Sequence, residues 1–170
     1  ILPLPGGEFY HYGTSHEMIS STLAVQNIVN DQREIMHHGR KPHPSIFVQN
    51  AYTGIKITAD NTNLWIENSH VGKGWTISHD NIITGVPEND WTITLKAGQC
   101  VDIVPIGSQS YVLRPYNMDD KFAGAAQQTP MFPVLDDTEE TGRVLCDMLA
   151  GTADLSAYKL MSAEEIANEA

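Results

Sequence analysis

The chain has 170 residues, 41% of them hydrophobic, and a formal net charge of -11. That is enough apolar material for one compact core and the wrong sign for a protein that grips phosphate backbones, which presents a basic face. The basic residues are scattered, with only Arg40 and Lys41 adjacent. No stretch approaches the roughly 20 apolar residues of a spanning helix, and Ile1 to Gly7 is too short and uncharged for a secretory leader. Cys100 and Cys146 are too few and too far apart for a disulfide framework or a zinc site. The expectation is a cytoplasmic chain that engages neither nucleic acid nor membrane.

In chain order, a Pro/Gly-rich start leads into Glu8-Phe9-Tyr10-His11-Tyr12, which predicts an aromatic strand ending at Gly13. Thr14 and Glu17 then form a capping box, in which hydroxyl and carboxylate satisfy the first free amides of a helix. Ile19, Leu23, Val25, Ile28 and Val29 keep roughly helical spacing, so an amphipathic helix is predicted from Ser15 to Asp31. His37, His38 and His43 invite a metal reading. The first two are neighbours and diverge, and no carboxylate or cysteine completes a set, so a solvated basic patch with Arg40 and Lys41 is the better account. From Pro42 to Asn50 the chain becomes extended.

A six-residue ladder follows: Trp65, Val71, Ile77 and Ile83, a skip at Asn89, then Leu95 and Val101, with Phe47 and Ala59 on the same count upstream. A hexad repeat is the signature of a β-helix, whose short strands each turn one side chain inward and whose corners take small or polar residues. Corners are readable at Asn68-Ser69, Gly72 to Gly74, Ser78 to Asn81 and Lys96 to Gln99. An antiparallel sandwich with strands in phase is the alternative. Val86 to Asp90, with Pro87 and two acids, reads as a loop thrown out of one coil, and Pro105 to Ser110 as the final coil. Gly72-Lys73-Gly74 is too short for a phosphate loop and serves as a corner. Trp65 is expected in the coil core, with Trp75 and Trp91 offering a packing surface to other domains.

Arg114 to Pro133 lacks periodicity and holds three prolines, which predicts a long surface loop. A helix is predicted over Glu139 to Ala150, with Val144, Leu145, Met148 and Leu149 on one side and Gly151 as its stop. A second capping box, Ser162 to Glu165, opens a helix with no room to finish, which suggests truncation. The two longer helices are candidates to cap the ends of the coils. The adjacent acids Asp119-Asp120 and Asp136-Asp137 read as solvated turns or caps, since no partner base is evident.

The order of strand, Gly-Thr, capped helix and hexad ladder resembles the junction in sugar nucleotidyltransferases, where a left-handed β-helix follows the nucleotide-binding domain. Phe9-Tyr10-His11-Tyr12-Gly13-Thr14-Ser15-His16-Glu17, with Ile66-Glu67-Asn68-Ser69 and Arg114-Pro115-Tyr116 to Asp119-Asp120, is similar to the L-fucose-1-phosphate guanylyltransferase family. Lys159 to Ile166 resembles the connector leading to the kinase half of bifunctional fucokinase/guanylyltransferases. The resemblance implies a mostly β fold, a single-stranded left-handed β-helix with flanking capping helices. It divides the chain into 1–40 as the end of a nucleotidyltransferase domain, 41–113 as β-helix, 114–158 as loop and capping helix, and 159–170 as the start of a connector.

What the family implies is fucose salvage: ATP-dependent phosphorylation of L-fucose, then GMP transfer from GTP to give GDP-fucose. The glycine-rich loop and the magnesium-holding carboxylates that such transfer needs are not found in this sequence. A scaffold is therefore expected, inactive alone, with no catalytic, cofactor-binding or metal-binding residues of its own. Magnesium, GTP and ATP belong to the parent. The expected partners are the nucleotidyltransferase and kinase domains, and self-association through solenoid ends. His11 stands where many nucleotidyltransferases carry an acid and could donate to a sugar phosphate. With Gly13, Thr14, Ser15 and His16 at the helix start, where free amides favour an anion, it forms the candidate substrate-binding set. Packing at a strand end for His11, and capping for Thr14 and Glu17, explain the same residues without a ligand. Two other readings stay open: a hexapeptide-repeat acyltransferase with His70 or His79 at work, and a carbohydrate-binding β-solenoid.

Overall fold

The computed structural model describes residues 5–28 and 42–169. His37, His38, Arg40, Lys41 and the predicted helix end at Val29 to Asp31 lie outside the described residues. The fold is mostly sheet, a stacked-coil β-solenoid of about three turns with flanking helices. In chain order come α1 (Ser15–Ile28), β1 (Ile46–Gln49), β2 (Tyr52–Thr53), β3 (Leu64–Glu67), β4 (His70–Val71), β5 (Trp75–Thr76), β6 (Asn81–Thr84), β7 (Ile93–Thr94) and β8 (Gln99–Ile106). After them come β9 (Ser110–Asn117), α2 (Ala125–Gln128), β10 (Phe132–Leu135), α3 (Thr138–Ala150), β11 (Leu160–Met161) and α4 (Ala163–Glu169).

Each coil has three sides. The first stacks β1, β3, β6 and β8 in parallel, the second β2 on β4, and the third β5 on β7. Ile46 lies over Leu64, eighteen positions on, and Ile83 over Val101, also eighteen. Between them Leu64 lies over Asn81, seventeen on. That missing residue matters because strand side chains alternate with period two, so a slip of one exchanges the faces. Ile66, Ile83 and Val101 therefore form the buried inward row, whereas Trp65 pairs with Ile82 on the outer face. Trp65 is not a residue of the coil core. It packs outside with Phe47, Ile82 and Cys100, and Ala59 is exposed. Val71, Leu95 and Val101 do point into the core, with Ile77 packed against it.

The skipped rung at Asn89 is not a loop thrown out of the coil. The eighteen-residue turn from Ile83 to Val101 includes it, and its side chain ties the coil together. Its amide donates to the carbonyls of His70 (2.9 Å) and Pro87 (2.7 Å), and its oxygen accepts from the Trp75 indole (3.1 Å) and the Trp91 amide (3.1 Å). A polar residue keeps the register here because the turn leaves backbone groups for it to satisfy.

Corners recur in two columns of left-handed residues. Asn50, Asn68 and Gly85 follow β1, β3 and β6, while Asn63, Asp80 and Gly98 precede β3, β6 and β8, all with positive φ. Asparagine and aspartate tolerate that region, and the stacked side chains bond up the column, Asn63 to Asp80 at 2.8 Å. Gly85 is required for a second reason: a Cβ there would lie 2.1 Å from the Ile103 carbonyl oxygen.

The solenoid ends where β8 turns back. Pro105 to Ser110 is not a final coil but a hairpin bend, with Gly107 at φ +62 and β9 antiparallel to β8. The Arg114 to Pro133 stretch is likewise not all loop. Its first four residues complete β9, and Phe132 and Pro133 open β10, which pairs with β9 and β11. Pro115 is tolerated in the terminal strand, where β9 has β8 on one side and reaches β10 through Tyr111 and Val112.

The helix predicted over Glu139 to Ala150 is α3. Asp137 caps it by accepting from Glu140 N (2.9 Å), and Gly151 ends it at φ 74. Val144 and Leu145 join the same core as the inward coil residues, so α3 closes the carboxy-terminal mouth of the solenoid. Trp75 and Trp91 are buried in that core rather than kept for other domains. Gly142 lets the helix settle onto Trp91, since a Cβ there would meet the indole at 2.4 Å. The first helix, in contrast, does not cap a coil end. Ile19 of α1 lies against Ile82, Cys100 and Met118, on the flank formed by the outer face of the first side.

Candidate functional site

Helix α1 starts where its sequence said it would. Thr14 Oγ1 accepts from Glu17 N (3.2 Å), and the Glu17 carboxylate accepts from the Gly13 amide (3.2 Å) and the Thr14 hydroxyl (3.0 Å). His11 Nδ1 lies 3.0 Å from the same carboxylate. These contacts, His11 first and Thr14 next, hold the Glu17 carboxyl below the usual range. The segment before it is not a strand. Glu8 to Tyr12 has no ladder partner among the described residues, and Phe9 is 86% exposed. Its alternating aromatics are not buried by a facing sheet, which is what a strand of that pattern requires.

Opposite the helix start, the outer face of the sheet continues through β9. Period-two alternation puts Thr84, Asp102 and Arg114 in one row: Thr84 beside Asp102 in parallel, Asp102 directly across from Arg114 in the hairpin. Thr84 Oγ1 donates to Asp102 Oδ1 (2.8 Å) and Arg114 Nη1 to Asp102 Oδ2 (3.2 Å). The Arg114 guanidinium lies 5.3 Å from the centre of the Tyr116 ring and 5.1 Å from that of Phe122, a cation held against aromatic faces.

Between these two walls is a cleft of about 1030 Å³. Tyr12 to His16 line one side, and Arg114, Tyr116 and the Met118 to Ala123 loop the other. A His16 to Asp119 contact of 3.0 Å bridges them. Of the five residues predicted to bind substrate, Gly13, Thr14, Ser15 and His16 line the cleft; His11 does not, its ring lying over Gly13 and facing Glu17. Burial raises the pKa of Tyr116, on the floor, and pushes Cys100 behind it up to about 12.

The cleft offers cations (Arg114, Lys121), carboxylates (Asp119, Asp120) and ring faces (Tyr12, Tyr116, Phe122). That set suits a ligand with an anionic group, hydroxyls and an apolar face. Asp119 meets His16 through one oxygen and Asp120 accepts from the Asn117 amide (2.7 Å) through one, so each carboxylate keeps acceptor capacity towards the cleft. Among the described residues no three His, Cys, Asp or Glu side chains gather as metal ligands. The sequence reading missed Arg114, Tyr116, Lys121 and Phe122. The apolar run Tyr111-Val112-Leu113 leading into Arg114 was the available strand signal, obscured by Pro115 and the prolines beyond.

The remaining histidines serve locally. His70 stacks on Tyr52, ring centres 4.5 Å apart, and His79 Nδ1 meets Asp80 Oδ2 at 2.5 Å. His43 stacks on Phe47 and faces the Pro44 carbonyl. No helix among the described residues is long and apolar enough to cross a membrane.

Fold and cleft together define a β-solenoid segment with a helix-capped pocket on its flank. The chain is 52% identical, over 164 residues, to the L-fucokinase/L-fucose-1-P guanylyltransferase of Bacteroides fragilis. The match takes in 94% of this chain and 17% of that protein. The chain is thus homologous to one segment of that protein, which the motif resemblance had indicated. No protein-family model matches, and neither does any solved structure.

Proposed function

We propose that the chain is the β-solenoid scaffold of a fucose-salvage enzyme that makes GDP-L-fucose, and that its flank cleft forms one wall of the sugar-phosphate site. The observation that carries the reading is that the two stretches resembling the guanylyltransferase, Phe9 to Glu17 and Arg114 to Asp120, are a hundred residues apart and yet supply the two sides of one cleft. The homology to a protein named for both activities supports the assignment of the substrate. In this reading the nucleotidyltransferase core and the kinase are supplied by the rest of a longer protein, together with the magnesium, GTP and ATP sites, and the work is done in the cytoplasm. His16 and the helix start face the sugar phosphate, while His11 orients the capping carboxylate.

The test is GDP-fucose formation from GTP, magnesium and L-fucose 1-phosphate, first with this chain alone and then mixed with the amino-terminal portion of the Bacteroides fragilis protein. The reading predicts product in the mixture and none from the chain alone. A folded amino-terminal partner whose activity is indifferent to this chain would overturn it.

A further inference from the structure

Arg114 carries more donor capacity than the chain uses. Of the five N–H donors of a guanidinium, one has a protein partner among the described residues, the Nη1 bond to Asp102 at 3.2 Å. Nε is buried and has no acceptor. A buried donor left unpaired is destabilising and calls for an explanation. The geometry around it is costly to build as well. Asp102 is itself fixed by Thr84, and the guanidinium is held against Tyr116, Phe122 and Phe132. The side chain is 28% exposed, in the wall of the cleft. Nε is shut off from the cleft, so a ligand meets this side chain through its spare Nη donors; a planar cation fixed on rings with those donors left over is suited to forked recognition of phosphate oxygens.

We propose that Arg114 anchors the phosphate monoester of a sugar 1-phosphate in this cleft, with Asp102 as its positioning residue. The inference rests on the reading of the chain as part of a sugar-phosphate enzyme and adds the residue that reads the charge. Lys121 supplements that charge, Asp119 and Asp120 accept from sugar hydroxyls, and the Tyr12 and Phe122 rings take the apolar face of the sugar.

The intact chain, labelled with a nitrogen isotope, is titrated with L-fucose 1-phosphate, L-fucose and inorganic phosphate while the Arg114 Nε–H resonance is followed by NMR. Arg114→Lys identifies the peak and keeps a positive charge beside Asp102; its thermal melt reports on folding. L-fucose 1-phosphate should move the resonance and L-fucose should not. Arg114→Lys should weaken sugar-phosphate binding about 10- to 100-fold, the loss of a forked charge-assisted contact. No movement at saturation, or equal affinity in a folded Arg114→Lys chain, would overturn the proposal. So would inorganic phosphate moving the peak while L-fucose 1-phosphate does not. The peak is read on the wild-type chain, so the proposal is decided even where the variant does not fold. Retained GDP-fucose complementation by Arg114→Lys sinks this inference and leaves the scaffold reading standing, whereas an Arg114 response without complementation does the reverse.

Discussion

Asn81 shows how much of this fold hangs on single polar side chains. It stands at 0% exposure in the inward row, where a neighbour would be aliphatic. Its amide donates to the carbonyls of Lys96 and Gln99 (both 2.8 Å), and its oxygen accepts from the Ser78 amide (2.9 Å). Asn81→Ala removes all three bonds and leaves a gap at a fully buried position, while Lys96 O keeps the Gln99 amide at 3.1 Å; the expected loss is roughly 1–3 kcal/mol, read as a lower denaturant midpoint with an unchanged slope. Cysteine chemistry gives a second test at this scale. Cys100 is buried with its thiol pushed up to about 12, while Cys146 is exposed. Alkylation at pH 8 should modify one thiol in the native chain and both after denaturation; rapid loss of both in the native chain would contradict the burial of Cys100 beneath α1.

Elements were legible in proportion to how local their signals are. Both capping pairs read from sequence form: Ser162 with Glu165 as the full reciprocal box, Ser162 N donating to Glu165 Oε2 (2.7 Å) and Glu165 N to Ser162 Oγ (3.2 Å), and Thr14 with Glu17 as a variant in which the carboxylate takes the Gly13 amide and the Thr14 hydroxyl. Asp137 and Gly151 bracket α3. The strands of the coils were found as a group by their hexads, yet Trp65 was turned to the wrong face, because one coil is a residue shorter and a period count carries no register. The terminal hairpin was missed because Pro115 and Pro133 mimic a loop, whereas antiparallel pairing that no local pattern encodes holds them.

The caps carry a pH signature. Glu17 and Glu165 both titrate below the usual carboxylate range, Glu17 through His11 and Thr14, and Glu165 through the Ser162 amide and hydroxyl. A depressed folded-state pKa means that the unfolded chain binds more protons in the window between the two values. Stability is thus full above about 4.5, the unperturbed glutamate value, and falls as pH drops through the folded values. Asp80 adds to this: burial pushes it up, but His79 and Asn63 outweigh burial and leave it lowered. Melting temperature should hold between pH 7 and 5 and decline below pH 4.5, with a shallower decline in Glu165→Gln. Ser162→Ala should cost about 1 kcal/mol, seen as a lower melting temperature.

At the scale of the whole molecule, the first side of the solenoid does two jobs. Its inner face fills the core and its outer face carries both the seat for α1 and the Thr84, Asp102 and Arg114 row. The cleft exists because a helix from one end of the chain and a hairpin from beyond the last coil lie on the same flank. The sequence could name the helix side from its Gly-Thr motif, but the opposing wall depends on long-range pairing and on the one-residue slip. The most direct measurement replaces the matching segment of the Bacteroides fragilis L-fucokinase/L-fucose-1-P guanylyltransferase with this chain and assays both activities. The account predicts a chimera that keeps both, and in which Arg114→Lys raises the KM for L-fucose 1-phosphate about 10-fold or more while fucose phosphorylation is untouched. A chimera with intact phosphorylation whose GDP-fucose synthesis is indifferent to Arg114 would remove Arg114 as the phosphate anchor, and one that loses guanylyl transfer altogether while remaining folded would contradict the scaffold itself.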